Sequence, residues 1–223
     1  MDNGTPLDNV ISYSLWGSRK MFLHGAVVNA KQCREFFPDW KVRIYHNSSV
    51  PESLLVTLRE LGVETIHVDP KGTYGTFWRF RPLFEEGIEH VLVRDIDSRI
   101  TWRDVRCVNE WTDSGKKFLN VRDHPSHYDW PIIAGMFGVR GGALPLTLIP
   151  IMEKYAVMHQ YISDQVFLAH HVWDYMKMDV LELGFREHAW MSETWTVDGH
   201  MNLGFDEYEQ PRKDHGVMGD TCI

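Results

Sequence analysis

Two carboxylates two residues apart, Asp95 and Asp97, close a short apolar run, for residues 90–100 read HVLVRDIDSRI. Val91, Leu92 and Val93 predict a strand covered on both faces, because continuous β-branched and aliphatic residues suit that environment. An extended backbone points side chains two apart to the same side. Two negative charges about 5 Å apart repel by roughly 3 kcal/mol at an effective dielectric near 20, so the pair calls for a positive partner. A divalent cation suits it: Mg²⁺ and Mn²⁺ prefer hard oxygen ligands and accept a site only partly built by protein. Solvated turns carry the same spacing, so position has to decide. Here the pair ends a buried strand, and in open α/β sheets ligands collect outside the carboxyl ends of strands. Arg94 and Arg99 flank it, either as salt bridges that hold the loop or as contacts to a bound anion.

The elements that must position this pair follow from periodicity. Val10 to Leu15 predicts a first strand, with Trp16-Gly17-Ser18 as the turn beyond it. From Lys20 to Phe37 the residues Phe22, Ala26, Ala30 and Cys33 recur at helical spacing, and Pro38 ends the run. Val42 to Tyr45 is a second strand, Pro51 to Leu61 a helix followed by Gly62, and Val63 to Val68 a third strand. This βαβαβ order predicts a parallel, doubly wound sheet. Gly75 to Phe84 reads as a short aromatic helix carrying Arg79 and Arg81 just ahead of the central strand.

Arg103 to Trp111 reads as a helix and Phe118 to Val121 as a strand that runs into His124-Pro125-Ser126-His127. Two histidines could ligate a metal, but the proline between them favours turn chemistry. Ile132 to Val139 predicts a strand whose Gly135 and Gly138 admit either close approach of another group to the backbone or close packing. Pro150 to Tyr161 is a helix by spacing. Ser163-Asp164-Gln165 opens another that buries Val166, Phe167, Ala169 and Val172, with Ser163 or Asp164 as a possible N-cap. Val180 to Leu183 is a last strand, and residues 179–223 as a whole are less regular.

Composition bounds the rest. The chain has 223 residues, 43% hydrophobic and 13% aromatic, which suits one domain with a full core. No long apolar run is present and the first residues, Met1-Asp2-Asn3-Gly4, are polar, so a cytoplasmic protein without a transmembrane segment is expected. Cys33, Cys107 and Cys222 fit neither a disulfide framework nor a zinc site. A net charge of −8 argues against nucleic acid as a partner, since such binding draws on phosphate neutralisation. An anionic ligand must therefore be received locally, by a cation and a few placed arginines. Nothing here speaks to oligomeric state.

Several ordered blocks, TFWRF (76–80), VRDIDSR (93–99), VRDHP (121–125) and GMFG (135–138), resemble small bacterial and viral glycosyltransferases of the GT-A fold. The likeness runs from about Val10 to Gln165. It implies a single α/β domain over residues 1–223, with a Rossmann-like, mostly parallel central sheet and helices on both faces. It implies a nucleotide-diphosphate sugar as donor, a glycan or other hydroxyl compound as acceptor, and Mn²⁺ or Mg²⁺ bridging Asp95 and Asp97 to the diphosphate. Trp16, Arg79, Arg94 and Gln165 join the two aspartates as the donor-binding set, while His124 and Gly135 fall on the acceptor side. Asp164 matches a reaction-centre residue of glycogenin-like transferases, which also take a late histidine as metal ligand. Two carboxylates and two diphosphate oxygens leave an octahedral ion short of ligands. His188, close behind the last strand, is the expected third protein ligand, with His215 its rival. Two other readings remain open. A nucleotidyltransferase acting on sugar phosphates calls for a glycine-rich basic loop near the first strand, and Leu15 to Lys20 holds a single glycine. A non-catalytic glycan-binding module predicts glycan binding without metal or nucleotide.

Overall fold

Alternation along two central strands decides which residues meet which layer. In β1 (Asp8–Leu15), Ile11, Tyr13 and Leu15 enter one core and Val10 the other. In β4 (Ile88–Arg94), Leu92 faces the first core and Val91 and Val93 the second. The first core is roofed by α1 (Lys20–Phe36), α2 (Glu52–Glu60) and α3 (Trp102–Ser114), through Ala26, Ala30, Leu55, Leu58, Cys107 and Trp111. The second is covered by the 3₁₀ helix Gly75–Phe84, by α4 (Ile149–Ala156), and by a helical run of α5 (Ser163–Phe167), a π turn (Leu168–Val172) and α6 (Trp173–Met176). The computed structural model describes residues 7–158, 160–191 and 208–209.

Between the layers lies a seven-stranded sheet ordered β3-β2-β1-β4-β6-β5-β7, the remaining strands being β2 (Lys41–His46), β3 (Glu64–His67), β5 (Phe118–Arg122), β6 (Met136–Arg140) and β7 (Val180–Gly184). The first four strands are parallel, as the βαβαβ order requires. β6 departs from that expectation: it runs antiparallel to both β4 and β5, while β5 and β7 are parallel. It also begins at Met136 rather than Ile132, because the Gln165 side chain accepts from Ala134 N (3.0 Å) and donates to Ile132 O, occupying groups a ladder would need. α4 ends at Ala156, five residues short of the expected Tyr161, where Tyr74 N donates to the Ala156 carbonyl (2.7 Å).

Local signals set the ends of the layers. A capping box of Thr101 and Asp104 opens α3, and Gly115 closes it in the left-handed region at φ 69°. Cys33 and Cys107 are buried thiols, and burial pushes Cys33 up to about 12, so both are packing residues. Cys222 lies outside the described residues. No helix among the described residues is long and apolar enough to cross a membrane.

Candidate active site

The strand order turns back between β1 and β4, since β2 and β3 extend the sheet on one side of β1 and β4 lies on the other. Crevices at such points receive ligands in open α/β sheets. Trp16 follows β1 and Asp95 follows β4, so the two sit at the mouth of this crevice. A cleft of about 400 Å³, part of it open to solvent, is lined there by Trp16, Thr76, Arg79, Asp95 and Asp97 among others.

Arg79 is placed from its backbone outward. Ser12 and Ser14 of β1 are buried on the face that meets the 3₁₀ helix; Ser12 Oγ donates to Arg79 O (2.8 Å), and Arg79 N donates to Ser14 Oγ (2.9 Å). The guanidinium, 6% exposed, then reaches Asp95 Oδ1 with one nitrogen and Asp164 Oδ2 (3.0 Å) with another. Burial works against its charge, but Asp95 and Asp164 outweigh that and hold its pKa above the ordinary arginine value. Asp164 is buried at the start of α5, and burial raises its carboxyl above the usual range although Arg79 opposes the shift.

Asp95 and Asp97 do not lie on extended backbone as the spacing suggested. The chain turns, with Asp95 O accepting from both Ser98 N (3.1 Å) and Ser98 Oγ (2.6 Å), yet both aspartates line the one cleft. Gly135 lies directly against Asp95: a Cβ there would stand 1.9 Å from Asp95 Oδ2, so only glycine lets the carboxylate occupy its place. Gln165, next to Asp164, spends its amide on the backbone of residues 132–134 and so fixes the approach to Gly135. Trp16 stands edge-on to Tyr74 and Trp78, over Gly75, whose missing Cβ would fall 2.5 Å from the indole.

Three expected site residues lie elsewhere. Arg94, the last residue of β4, turns to the α3 face, where it is 1% exposed and paired with Asp104 (2.8 Å). His124 caps the 3₁₀ turn Pro125–Tyr128 by accepting from Ser126 N (3.1 Å). His188 turns its Nδ1 back to the Gly184 backbone (3.2 Å to the carbonyl), and among the described residues no group of three or more His, Cys, Asp or Glu side chains is arranged around a common point. A third ligand from His188 is therefore not assembled with Asp95 and Asp97; His215 lies outside the described residues. Ser12, Ser14 and Thr76 were not expected at the site. The serines carry a signal, two polar residues at period two in the run VISYSL, and the buried Thr76 hydroxyl has no hydrogen-bond partner among the described residues.

The donor set fits a divalent cation in chemistry and charge. Asp95 is 45% exposed and Asp97 half-buried, both offering hard oxygens. When ionised, the three carboxylates near Arg79 (Asp95, Asp97, Asp164) exceed its single charge by two.

No family model matches this chain, and no curated protein sequence matches it. Solved structures do. Residues 1–349 of TarS from S. aureus superpose with a TM-score of 0.55 at 13% identity, covering 79% of this chain and 58% of that one. The galactosyltransferase LgtC, in complex with donor and acceptor sugar analogs, gives 0.51 at 14% identity, over 78% of this chain and 72% of its own. The mannosyltransferase PcManGT from Pyrobaculum calidifontis, in complex with GDP-Man and Mn²⁺, gives 0.50 at 12% identity, over 82% and 55%. The fold of this chain is therefore the GT-A fold, in a chain that spans little more than half of two of these structures.

Proposed function

We propose that this protein is a metal-dependent glycosyltransferase that moves a sugar from a nucleotide-diphosphate sugar to a hydroxyl on a glycan or similar acceptor. The observation that carries this reading is Arg79, buried at the sheet's reversal point and bridging Asp95 to Asp164. Fold analogy alone would not name a function; the reading rests on one surplus of negative charge facing a cleft, next to a buried aspartate with a raised pKa.

In this reading Asp95 and Asp97 hold Mn²⁺ or Mg²⁺, which when bound supplies Lewis-acid stabilisation of the leaving diphosphate. Arg79 keeps Asp95 and Asp164 at fixed spacing. Asp164 faces the reacting sugar as base, nucleophile or electrostatic partner of developing positive charge, and its proton affinity is tuned by burial against Arg79. Trp16 and the turn after β1 receive the nucleotide base, and Gly135 gives the Asp95 carboxylate its place against the backbone.

The test is thermal unfolding with nucleoside diphosphates, with and without Mn²⁺, because a ligand that binds only the native state raises its stability. Stabilisation by a nucleoside diphosphate that requires the metal is expected. Equal shifts with and without metal would remove the metal from the reading.

A further inference from the structure

Every carbonyl of the turn that carries the two aspartates is bonded. Asp95 O is taken by Ser98, as described above. Ile96 O accepts from Asn29 Nδ2 (2.9 Å), Asp97 O from Arg99 Nη1 (3.2 Å), and Ser98 O from both Asn29 Nδ2 (2.9 Å) and Arg99 Nη1 (2.8 Å). Asn29 is 1% exposed, in the middle of the buried face of α1. A polar side chain there costs stability unless it is bonded. Both amide protons go to the turn, while its Oδ1 has no partner among the described residues.

One helical turn earlier on the same face, Gly25 brings the backbone of α1 against the same peptide. A Cβ on Gly25 would lie 2.4 Å from Ile96 O. Residues four apart share a helix face, so Gly25 and Asn29 act as one docking strip. From the far side Arg99 is held by Glu209 through two contacts (3.0 and 2.7 Å), and Glu209 also reaches His24 of α1 (2.9 Å).

We propose that Asn29 is a positioning residue for the Asp95 and Asp97 carboxylates. It fixes the peptide that enters Asp97 and the carbonyl of Ser98 that follows, and so sets the direction of the Asp97 side chain without touching a ligand. The proposal rests on the reading of this pair as a divalent-cation site. Residues that orient metal ligands from behind change metal affinity by about 10- to 100-fold when removed.

The test compares Asn29→Ala and Gly25→Ala with Cys33→Ala, a buried change on the same helix away from the turn. Mn²⁺ is titrated by electron paramagnetic resonance with the nucleoside diphosphate that most stabilises the native protein, and exchange of the Ser98 amide is followed without metal. Asn29→Ala and Gly25→Ala should each weaken Mn²⁺ binding about 10-fold or more, alter the Mn²⁺ line shape and speed Ser98 exchange. Cys33→Ala should do none of these at a comparable loss of stability. Should Asn29→Ala fail to fold, Gly25→Ala and the shorter donor in Asn29→Ser carry the test. Native Mn²⁺ binding with variants within twofold of it would overturn this proposal alone. Absence of Mn²⁺-dependent nucleotide binding in the native protein would overturn the functional reading on which it rests.

Discussion

Two arginine–carboxylate clusters stand back to back at the end of β4, and only one has charge left over. On the α3 face, Arg94 pairs with Asp104 (2.8 Å), and Arg103 with Asp123 (3.0 Å), which also receives His127 (3.0 Å). Two guanidiniums meet two carboxylates there, and none of these side chains is more than 7% exposed. On the other face Arg79 is sealed in the same way but meets Asp95 and Asp164 with Asp97 close by, and Asp95 is 45% exposed. Burial and ion pairing are common to both. What separates the two is imbalance of charge together with an opening, since a matched and sealed pair presents no net charge to a ligand.

The comparison breaks most visibly on neutralising the exposed carboxylates. Asp95→Asn and Asp97→Asn should each lower sugar transfer by at least about 100-fold, more than loss of a residue that merely orients a ligand. Urea unfolding should move by less than about 1 kcal/mol, because an ion pair with one partner this exposed contributes little. If both variants retain metal-dependent donor hydrolysis, the front cluster is scaffold too. On the α3 face the outcome should reverse. Arg94→Leu leaves the buried Asp104 charge with only its capping contacts to Thr101 and should cost about 3–5 kcal/mol of stability, part of it recovered when Asp104→Asn is added, which removes the charge and keeps a cap acceptor. Nucleotide affinity of the doubly substituted protein should match the native one; a loss there would bring Arg94 back to the donor.

The two faces also differ in their response to acid. Asp123 is pulled well below the usual carboxylate range: burial acts to raise it, and the adjacent His127 and the charge of Arg103 outweigh that. Its contribution to stability is therefore complete above the unfolded value of about 3.9 and is lost as pH falls below it toward the lower folded value. Asp164 has the opposite sign. Its folded pKa is raised, so its penalty is absent in acid and develops as pH rises through the unfolded and then the folded value. Asp123→Asn should thus flatten the acid limb of a stability–pH curve. Asp164→Asn should unfold no earlier than the native protein at pH 7 while transfer falls and donor affinity holds, the pattern of an interaction made only in the transition state. Unchanged transfer would reduce Asp164 to a partner of Arg79.

Much of this was legible in the sequence, and the failures have physical reasons. Continuous apolar runs marked the strands, and glycines and prolines their ends, but nothing in a strand's composition records its direction, so the reversal of β6 went unseen. Arg94 closes β4 and pairs with Asp104 on α3, while Asp95 falls in the turn that follows and meets Arg79, a division that the run VRDID does not announce. The bridge from Arg79 to Asp95 and Asp164 spans 16 and 85 residues, and no local pattern announces it. Asn29 was visible as a polar residue among Ala26, Ala30 and Cys33 on one helix face, a position that asks for a partner. The turn chemistry expected at His124 is present, whereas His188, expected as a metal ligand, bonds to the nearby backbone of Gly184, a use of imidazole that sequence position alone does not distinguish.

The smallest expected effect concerns strain, which the cleft side carries just ahead of Asp164. Ile162 holds φ 65° and ψ 8° at the entry to α5, a left-handed conformation that costs a β-branched residue roughly 1–2 kcal/mol. The residue is 41% exposed, so little burial offsets that cost. Glycine removes the steric penalty but has more freedom to lose on folding, which leaves Ile162→Gly more stable than the native chain by about 0.5–1 kcal/mol. Urea unfolding at pH 7 reads this directly, and a variant no more stable than native would mean that Ile162 packs usefully as it stands. Strained backbone is retained where the surrounding structure needs the geometry it imposes, and this residue sets how the chain delivers Ser163, Asp164 and Gln165 to their buried positions. Glycine keeps the same dihedrals accessible while ceasing to enforce them, so transfer should fall a few-fold as stability rises. A gain in both would make the strain incidental and return the difference between the two faces to charge alone.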